Sequence, residues 1–346
     1  MKSWDVIIVG AGIIGVSVAL ELRQRGATVL VLDRAESGSE ASSAAAGMLA
    51  AADPETPVGL RPLAMESARI FPAFVQKLES AGRMQVDFRR TGTIALLPDN
   101  AAPSEYRRLS AADVQRLEPS LQSSGHSAFF VQEDSVDPSL LMRAALSAAR
   151  NLGIEIRGHT AVKDIRAHGG TVEVLTETGK LASASVVDCR GAWFGTPVRP
   201  RKGQMLYIQP RRAVLQHVLR TPDVYIVPRS SGRILIGATV EDVGFDKSVD
   251  SSAIHQLFNA ARKYLPELAS APITQSWAGL RPGTPDDLPI LGPTDTAGVF
   301  VATGHFRNGI LLAPVTAQIM ADLAGGRSSL LDIRAFLPSR FRRTEK

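Results

Sequence analysis

The stretch Asp5-Val6-Ile7-Ile8-Val9-Gly10-Ala11-Gly12-Ile13-Ile14-Gly15 decides the fold. Asp5 to Val9 is a short, almost unbroken apolar run, the pattern of a strand in a parallel sheet covered on both faces. Gly10-x-Gly12-x-x-Gly15 follows at once. Ile13 to Arg25 then has helical spacing, with Ile14, Val18 and Leu22 on one face and Gly26 as its stop. Thr28 to Leu32 reads as a second strand, and Asp33 stands at its end, 18 residues past Gly15. This is a βαβ unit with the spacing of a dinucleotide site. Gly10 permits the tight turn, Gly12 lets a pyrophosphate approach the backbone, and Gly15 lets helix pack on strand. The exposed N–H groups and the helix dipole hold phosphate, while an acid at Asp33 bonds ribose hydroxyls. The triplet alone does not separate a nicotinamide dinucleotide from a flavin one.

Outward from this unit, Ser37 to Ala52 is a run of small residues, such as a closely approached backbone requires. Helices are expected over 62–81, over 110–117 and from Asp137-Pro138 to Asn151. Strands flank Gly169-Gly170, and Ala184 to Asp188 is another apolar strand. From Gly203 to Ile236 the pattern changes to hairpins, with Val224–Val227 and Arg233–Ile236 around Ser230-Ser231-Gly232. A helix follows over 251–265, then a strand at Val299 to Ala302 and a last helix over 309–324. Strands of parallel character come from both ends of the chain. The expectation is an α/β architecture: a discontinuous Rossmann-like nucleotide-binding domain with a second, antiparallel-sheet domain inserted.

The chain has 346 residues, 45% hydrophobic and 21% charged, enough for two or three structural units with a large core. Its formal charge of +5 is scattered, and aromatics are only 5%, so a nucleic-acid face is not expected. The longest stretch without an acidic or basic residue, Val6 to Leu20, is 15 residues, short of the roughly 20 a membrane span needs. It reads as a folded element and not as a targeting segment. One cysteine, Cys189, leaves no intramolecular disulfide, which fits a cytoplasmic protein. His-x-x-x-His and Cys-x-x-Cys are absent, so no metal site is expected, and without a Gly-x-Ser-x-Gly elbow a hydrolase triad has no support.

Five blocks then carry a resemblance. They are Gly10–Gly15, Ser42-Ser43-Ala-Ala-Ala-Gly47-Met48-Leu49, Tyr225-Ile-Val-Pro228-Arg229, Trp277-Ala-Gly-Leu-Arg281-Pro-Gly-Thr284 and Gly304-His-Phe-Arg307-Asn-Gly309-Ile-Leu-Leu-Ala-Pro314. Together they resemble the D-amino acid oxidase superfamily, and within it the glycine oxidases of thiamine biosynthesis. The resemblance implies non-covalent FAD and oxidation of the Cα–N bond of glycine, or of sarcosine or a small D-amino acid, with oxygen as acceptor. It also suggests a homo-oligomer. The implied FAD domain comprises 1–85, 138–200 and 276–346, and the substrate domain 86–137 and 201–275.

By the same resemblance Gly10, Gly12, Ile13, Ile14 and Gly15 lie along the FAD pyrophosphate, with Asp33 and Arg34 at the adenosine end. Ala41, Ser42, Ala46, Gly47 and Met48 run under the flavin, and Val162 contacts the adenine side. His305, Phe306, Arg307, Asn308, Gly309, Ile310 and Leu311 close over the flavin ring. Arg281 holds the substrate carboxylate bidentately, Tyr225 adds a hydroxyl donor, and Arg307 shapes the site electrostatically. A Pro282-Gly283 turn is expected to aim Arg281 over the flavin, and no catalytic base is assigned. Asp33 stands where many relatives have Glu, and Asp188-Cys189-Arg190 replaces the small apolar residues usual before Gly191. Two rival readings are a dehydrogenase of the same fold that uses another electron acceptor, and a flavin-binding assembly protein without turnover.

Overall fold

The computed structural model describes residues 3–123 and 125–342. A parallel sheet forms the centre of the nucleotide-binding half. Its strands run in the order Val299–Thr303, Gly179–Asp188, Trp4–Val9, Val29–Leu32, Glu155–Arg157, all parallel. The registers Val6↔Val29 and Val6↔Ser185 put the first strand in the middle. Alternation then sorts its side chains. Val6 and Ile8 face a helical layer, while Ile7 and Val9 face the other side. Helices Ile13–Gln24, Arg61–Gly82, Pro138–Asn151 and Gly309–Ala324 make that layer. The antiparallel meander Val162–His168, Thr171–Thr176, Gly179–Asp188 covers the opposite face through Val172 and Val174. Asp137 caps its helix, accepting from the N–H groups of Ser139 and Leu140, with Pro138 at the first turn.

The second large sheet is mostly antiparallel. Its order is Ile273–Gly283, Arg199–Ile208, Ile234–Gly237, Tyr225–Pro228, Val218–Arg220, Thr93–Leu97, Ser127–Val131, Arg107–Arg108. Leu206, Ile208, Ile226, Ile234 and Ile236 pack on helix Ser251–Tyr264. Met205, Tyr207, Val227 and Leu235, one residue out of phase, turn to the opposite face with Tyr225 and Trp277. That opposite face looks onto the nucleotide-binding half. A small sheet of Met48–Leu49, Asp134–Val136 and Phe88–Arg89 lies beside both.

Strands Arg199–Ile208 and Ile273–Gly283 pair from Arg199↔Gly283 to Ile208↔Ile273. The expected start of the last FAD-domain segment at residue 276 therefore falls inside a strand of the second sheet. Pro282-Gly283 is likewise the end of that strand and not a turn. Register, instead, decides where Arg281 points. Among the described residues no helix is long and apolar enough to cross a membrane.

Candidate active site

A cavity of about 1010 Å³ is lined by both large sheets. At one end is the glycine turn. Gly10 has φ +108°, and a Cβ there would overlap the Cys189 carbonyl. A Cβ on Gly15 would overlap the Gly10 carbonyl, so Gly15 serves the packing of helix on strand and stays out of the cavity wall. Gly12 is the N-cap of helix Ile13–Gln24 without a side-chain cap, and the first turn holds no acid. An anion is what such a terminus favours. Ser42 Oγ accepts from the Ile13 N–H at 2.9 Å, and Asp33 Oδ2 from the Ala11 N–H at 2.7 Å. Asp33 Oδ1 takes the Ala35 N–H at 2.9 Å. Asp33 thus buttresses the turn and still presents lone pairs to the cavity it lines. Arg34 sits over the Trp193 ring, with Cζ 3.9 Å from the ring centre, and Val162 lines the same end.

The middle of the cavity is the small-residue segment. Ala41, Ser42, Ala46, Gly47 and Met48 all line it. The opposite sheet holds this backbone in place. Trp277 Nε1 donates to the Ala44 carbonyl at 3.1 Å, and buried Arg229 donates to the carbonyls of Ala46 at 2.6 Å and Val136 at 2.9 Å. A Cβ on Gly47 (φ +77°) would overlap the Val136 carbonyl. Arg229 sits in a block quoted from the sequence, but its bracing role had no local signal, because its partners lie 93 and 183 residues away.

At the other end Arg281, Tyr225 and Arg307 come together on the cavity wall. Arg281 Nη1 donates to the carbonyls of Thr239 at 3.2 Å and Lys202 at 3.4 Å. The Tyr225 hydroxyl donates to Met205 Sδ at 3.3 Å. Burial pushes its pKa up, against the pull of the Arg281 guanidinium beside it. Arg307 pairs with Glu55 across the mouth, both well exposed. Helix Gly309–Ala324 begins at this wall, and its N-cap Asn308 makes no side-chain cap. His305 and Phe306 (φ +45°) precede it, and Ile310 lines the cavity. Leu311 does not; it is buried in the helical layer, its carbonyl accepting from Ser67 Oγ at 2.6 Å. His305 is buried with Nε2 3.1 Å from Thr316 Oγ1, and burial lowers its pKa to about 3. It is neutral at pH 7 and holds the helix start in place.

A cluster absent from the sequence reading anchors the loop at the mouth. Arg220 pairs with Asp53 at 2.9 Å and Glu133 at 3.2 Å and donates to the Tyr106 hydroxyl at 2.6 Å. Tyr106 and Glu133 in turn bind the carbonyl and N–H of Ala52. These groups come from four separate segments, so no spacing rule could have collected them. At the Asp188-Cys189-Arg190 departure, Arg190 closes on the buried Asp188 carboxylate at 2.6 Å, so the charge is paired. Among the described residues no group of three or more His, Cys, Asp or Glu could hold a metal.

The cavity fits an extended dinucleotide. It runs from an acid and an arginine, past a turn with room for no side chain, to the start of a second helix. Residues 5–323 match the family model described as DAO, FAD dependent oxidoreductase. The chain is 36% identical to the bifunctional protein ThiO/ThiG of Trichormus variabilis over 98% of its own length, but it spans only 55% of that relative. It is 33% identical to the glycine oxidase of Bacillus licheniformis, covering 94% of each. The crystal structure of glycine oxidase from Geobacillus kaustophilus superposes with a TM-score of 0.94 at 31% identity, covering 99% of this chain and 100% of that one. The chain therefore belongs to the DAO family of FAD-dependent oxidoreductases.

Proposed function

We propose that this enzyme oxidises the Cα–N bond of glycine, or of a comparably small amine bearing a carboxylate, and passes the electrons to oxygen. The carrying observation is the convergence of Arg281 and Tyr225 on the cavity wall, opposite the small-residue segment. An arginine fork and a phenol are a carboxylate receptor. Bound non-covalently along Gly10–Gly15, Asp33 and the 41–48 segment, FAD supplies a two-electron acceptor that oxygen can regenerate. The protein's own contribution is orientation. Arg281 and Tyr225 fix the carboxylate, which sets where Cα and the amine lie. The amine must be neutral when Cα gives up its hydride, and its proton leaves to solvent. The N-terminus of helix Gly309–Ala324, whose N-cap Asn308 makes no side-chain cap, lies on the cavity wall, and its positive end would favour an acceptor that gains negative charge. Glycine and oxygen give the imine and hydrogen peroxide, and water converts the imine to glyoxylate and ammonia. The likeness to ThiO/ThiG supports a role in which the imine goes instead to thiazole assembly in the cytoplasm.

Purified yellow protein should form peroxide in proportion to glycine added. Dye reduction without peroxide would move the reading to a dehydrogenase, and neither signal would move it to an assembly protein.

A further inference from the structure

Two glycines lie directly beneath the two carboxylate-binding side chains. The registers Arg201↔Arg281, Gly203↔Gly279, Met205↔Gly237 and Tyr225↔Gly237 put Arg281, Gly203, Tyr225 and Gly237 on one face of the second sheet. A Cβ at Gly203 would overlap Nη1, Nη2 and Cζ of Arg281 almost equally. Near-equal distances to three coplanar atoms mean that the guanidinium lies flat over the Gly203 Cα. A Cβ at Gly237 would stand 2.6 Å from Cε2 and the hydroxyl oxygen of Tyr225 and 2.7 Å from Cζ. Neither glycine has φ in the left-handed region. Gly203 is therefore needed for room and not for backbone conformation, and alanine is compatible with the strand there.

We infer that Gly203 and Gly237 are positioning residues, which set the height of the Arg281 and Tyr225 tips above the sheet and so select a carboxylate seated close to it. The inference rests on the carboxylate clamp proposed above. With the guanidinium flat, Nη1 reaches the Thr239 and Lys202 carbonyls. A guanidinium has five N–H donors, so the fork keeps others for a ligand. A methyl at position 203 lifts the group off the sheet, separates Nη1 from those carbonyls and rotates the fork. A displacement of about 1 Å at a positioning group can cost about 100-fold.

The test uses flavin-loaded protein and acetate, a carboxylate without an amine, titrated by its perturbation of the flavin absorbance. Gly203→Ala is expected to keep its flavin and to bind acetate about 10- to 100-fold more weakly, with a matching rise in glycine KM. In an Arg281→Leu background the same substitution should add nothing, since its whole effect passes through that side chain. Gly59→Ala, where a Cβ would meet nothing nearer than Leu288 at 4.0 Å, is the control. Wild-type acetate affinity in Gly203→Ala, or an effect that adds in full to Arg281→Leu, overturns the inference. Should Gly203→Ala fail to load flavin, the same cycle with Gly237→Ala and Tyr225→Phe decides it by the same criteria. If Arg281→Leu itself binds acetate normally, the clamp fails, and not merely its floor.

Discussion

The two ends of the cavity are built from different parts of the amino acid. At the glycine turn the backbone lines the cavity and is the proposed site. Gly10 and Gly12 contribute only main chain, and the side chains of Asp33 and Ser42 there mostly hold that main chain in place. At the proposed clamp the backbone is scaffold, and the tips of Arg281, Tyr225 and Arg307 line the cavity. A backbone-made site tolerates no added atom and little depends on which side chains lie nearby. A side-chain-made site loses its function when a tip is cut, and keeps its fold.

The largest expected effect is therefore at the turn. Gly10→Ala puts a Cβ into the Cys189 carbonyl at φ +108° and should yield protein without flavin. Gly26 separates conformation from contact. Its φ is +94°, but a Cβ would meet nothing within 4 Å. Gly26→Ala should lose only about 1–3 kcal/mol of stability and stay yellow. The flavin-to-protein ratio reads both. Yellow Gly10→Ala protein would remove the contrast between the two ends.

At the clamp, Arg281→Leu should keep flavin and fold. Removing one partner of a desolvated charge pair costs about 2–5 kcal/mol, so glycine kcat/KM should fall about 30- to 1000-fold or more. A variant with near-normal glycine kinetics would shift the carboxylate to Arg307.

The same contrast explains what could be read from the chain. The turn, its helix and the second strand are contiguous, and each residue's role follows from its neighbours; the expected strand, helix and acid all lie where the spacing put them. Arg281, Tyr225 and Arg307 lie on three segments, and only the resemblance of whole blocks linked them. The bracing of Ala46 by Arg229 and the Arg220 cluster carry no periodic or spacing signal at all. The Pro282-Gly283 turn failed as an expectation because long pairing with Arg199–Ile208 overrides the local turn preference of Pro-Gly.

The mouth loop adds a third case, in which side chains hold backbone by charge. Asp53 and Glu133 share one guanidinium, and buried Glu133 is pushed up to about 7, chiefly by burial. A carboxyl whose folded pKa is raised lends its stability below the unfolded value of 4.5 and loses it as pH rises through 7. Glu133→Gln mimics the protonated form. The two proteins should melt together near pH 4.5, and the variant should melt about 2–4 °C higher by pH 8. A variant that is less stable at pH 8 would mean that Arg220 makes the charge favourable after all.

The smallest effect belongs to Cys189, and it tests the backbone claim from the other side. Cys189 lines the cavity next to Gly10, and its main chain works hard: its N–H donates to the Val9 carbonyl at 2.7 Å, and its own carbonyl fills the space a Gly10 Cβ would need. Its thiol does nothing comparable. Burial, with the Asp188 charge next, raises the thiol pKa well above 9.0, so the nucleophilic thiolate is scarce at neutral pH. Covalent attachment of flavin here is therefore not expected, and neither is reaction with a thiol reagent until the fold opens. Cys189→Ala should match wild type in flavin content and glycine kinetics, with a stability change of about 1 kcal/mol at most. Acid precipitation of either protein should leave the yellow flavin in the supernatant. Flavin that stays with the wild-type pellet and leaves the Cys189→Ala pellet would make this side chain part of the site, and the turn would no longer be a site of backbone alone.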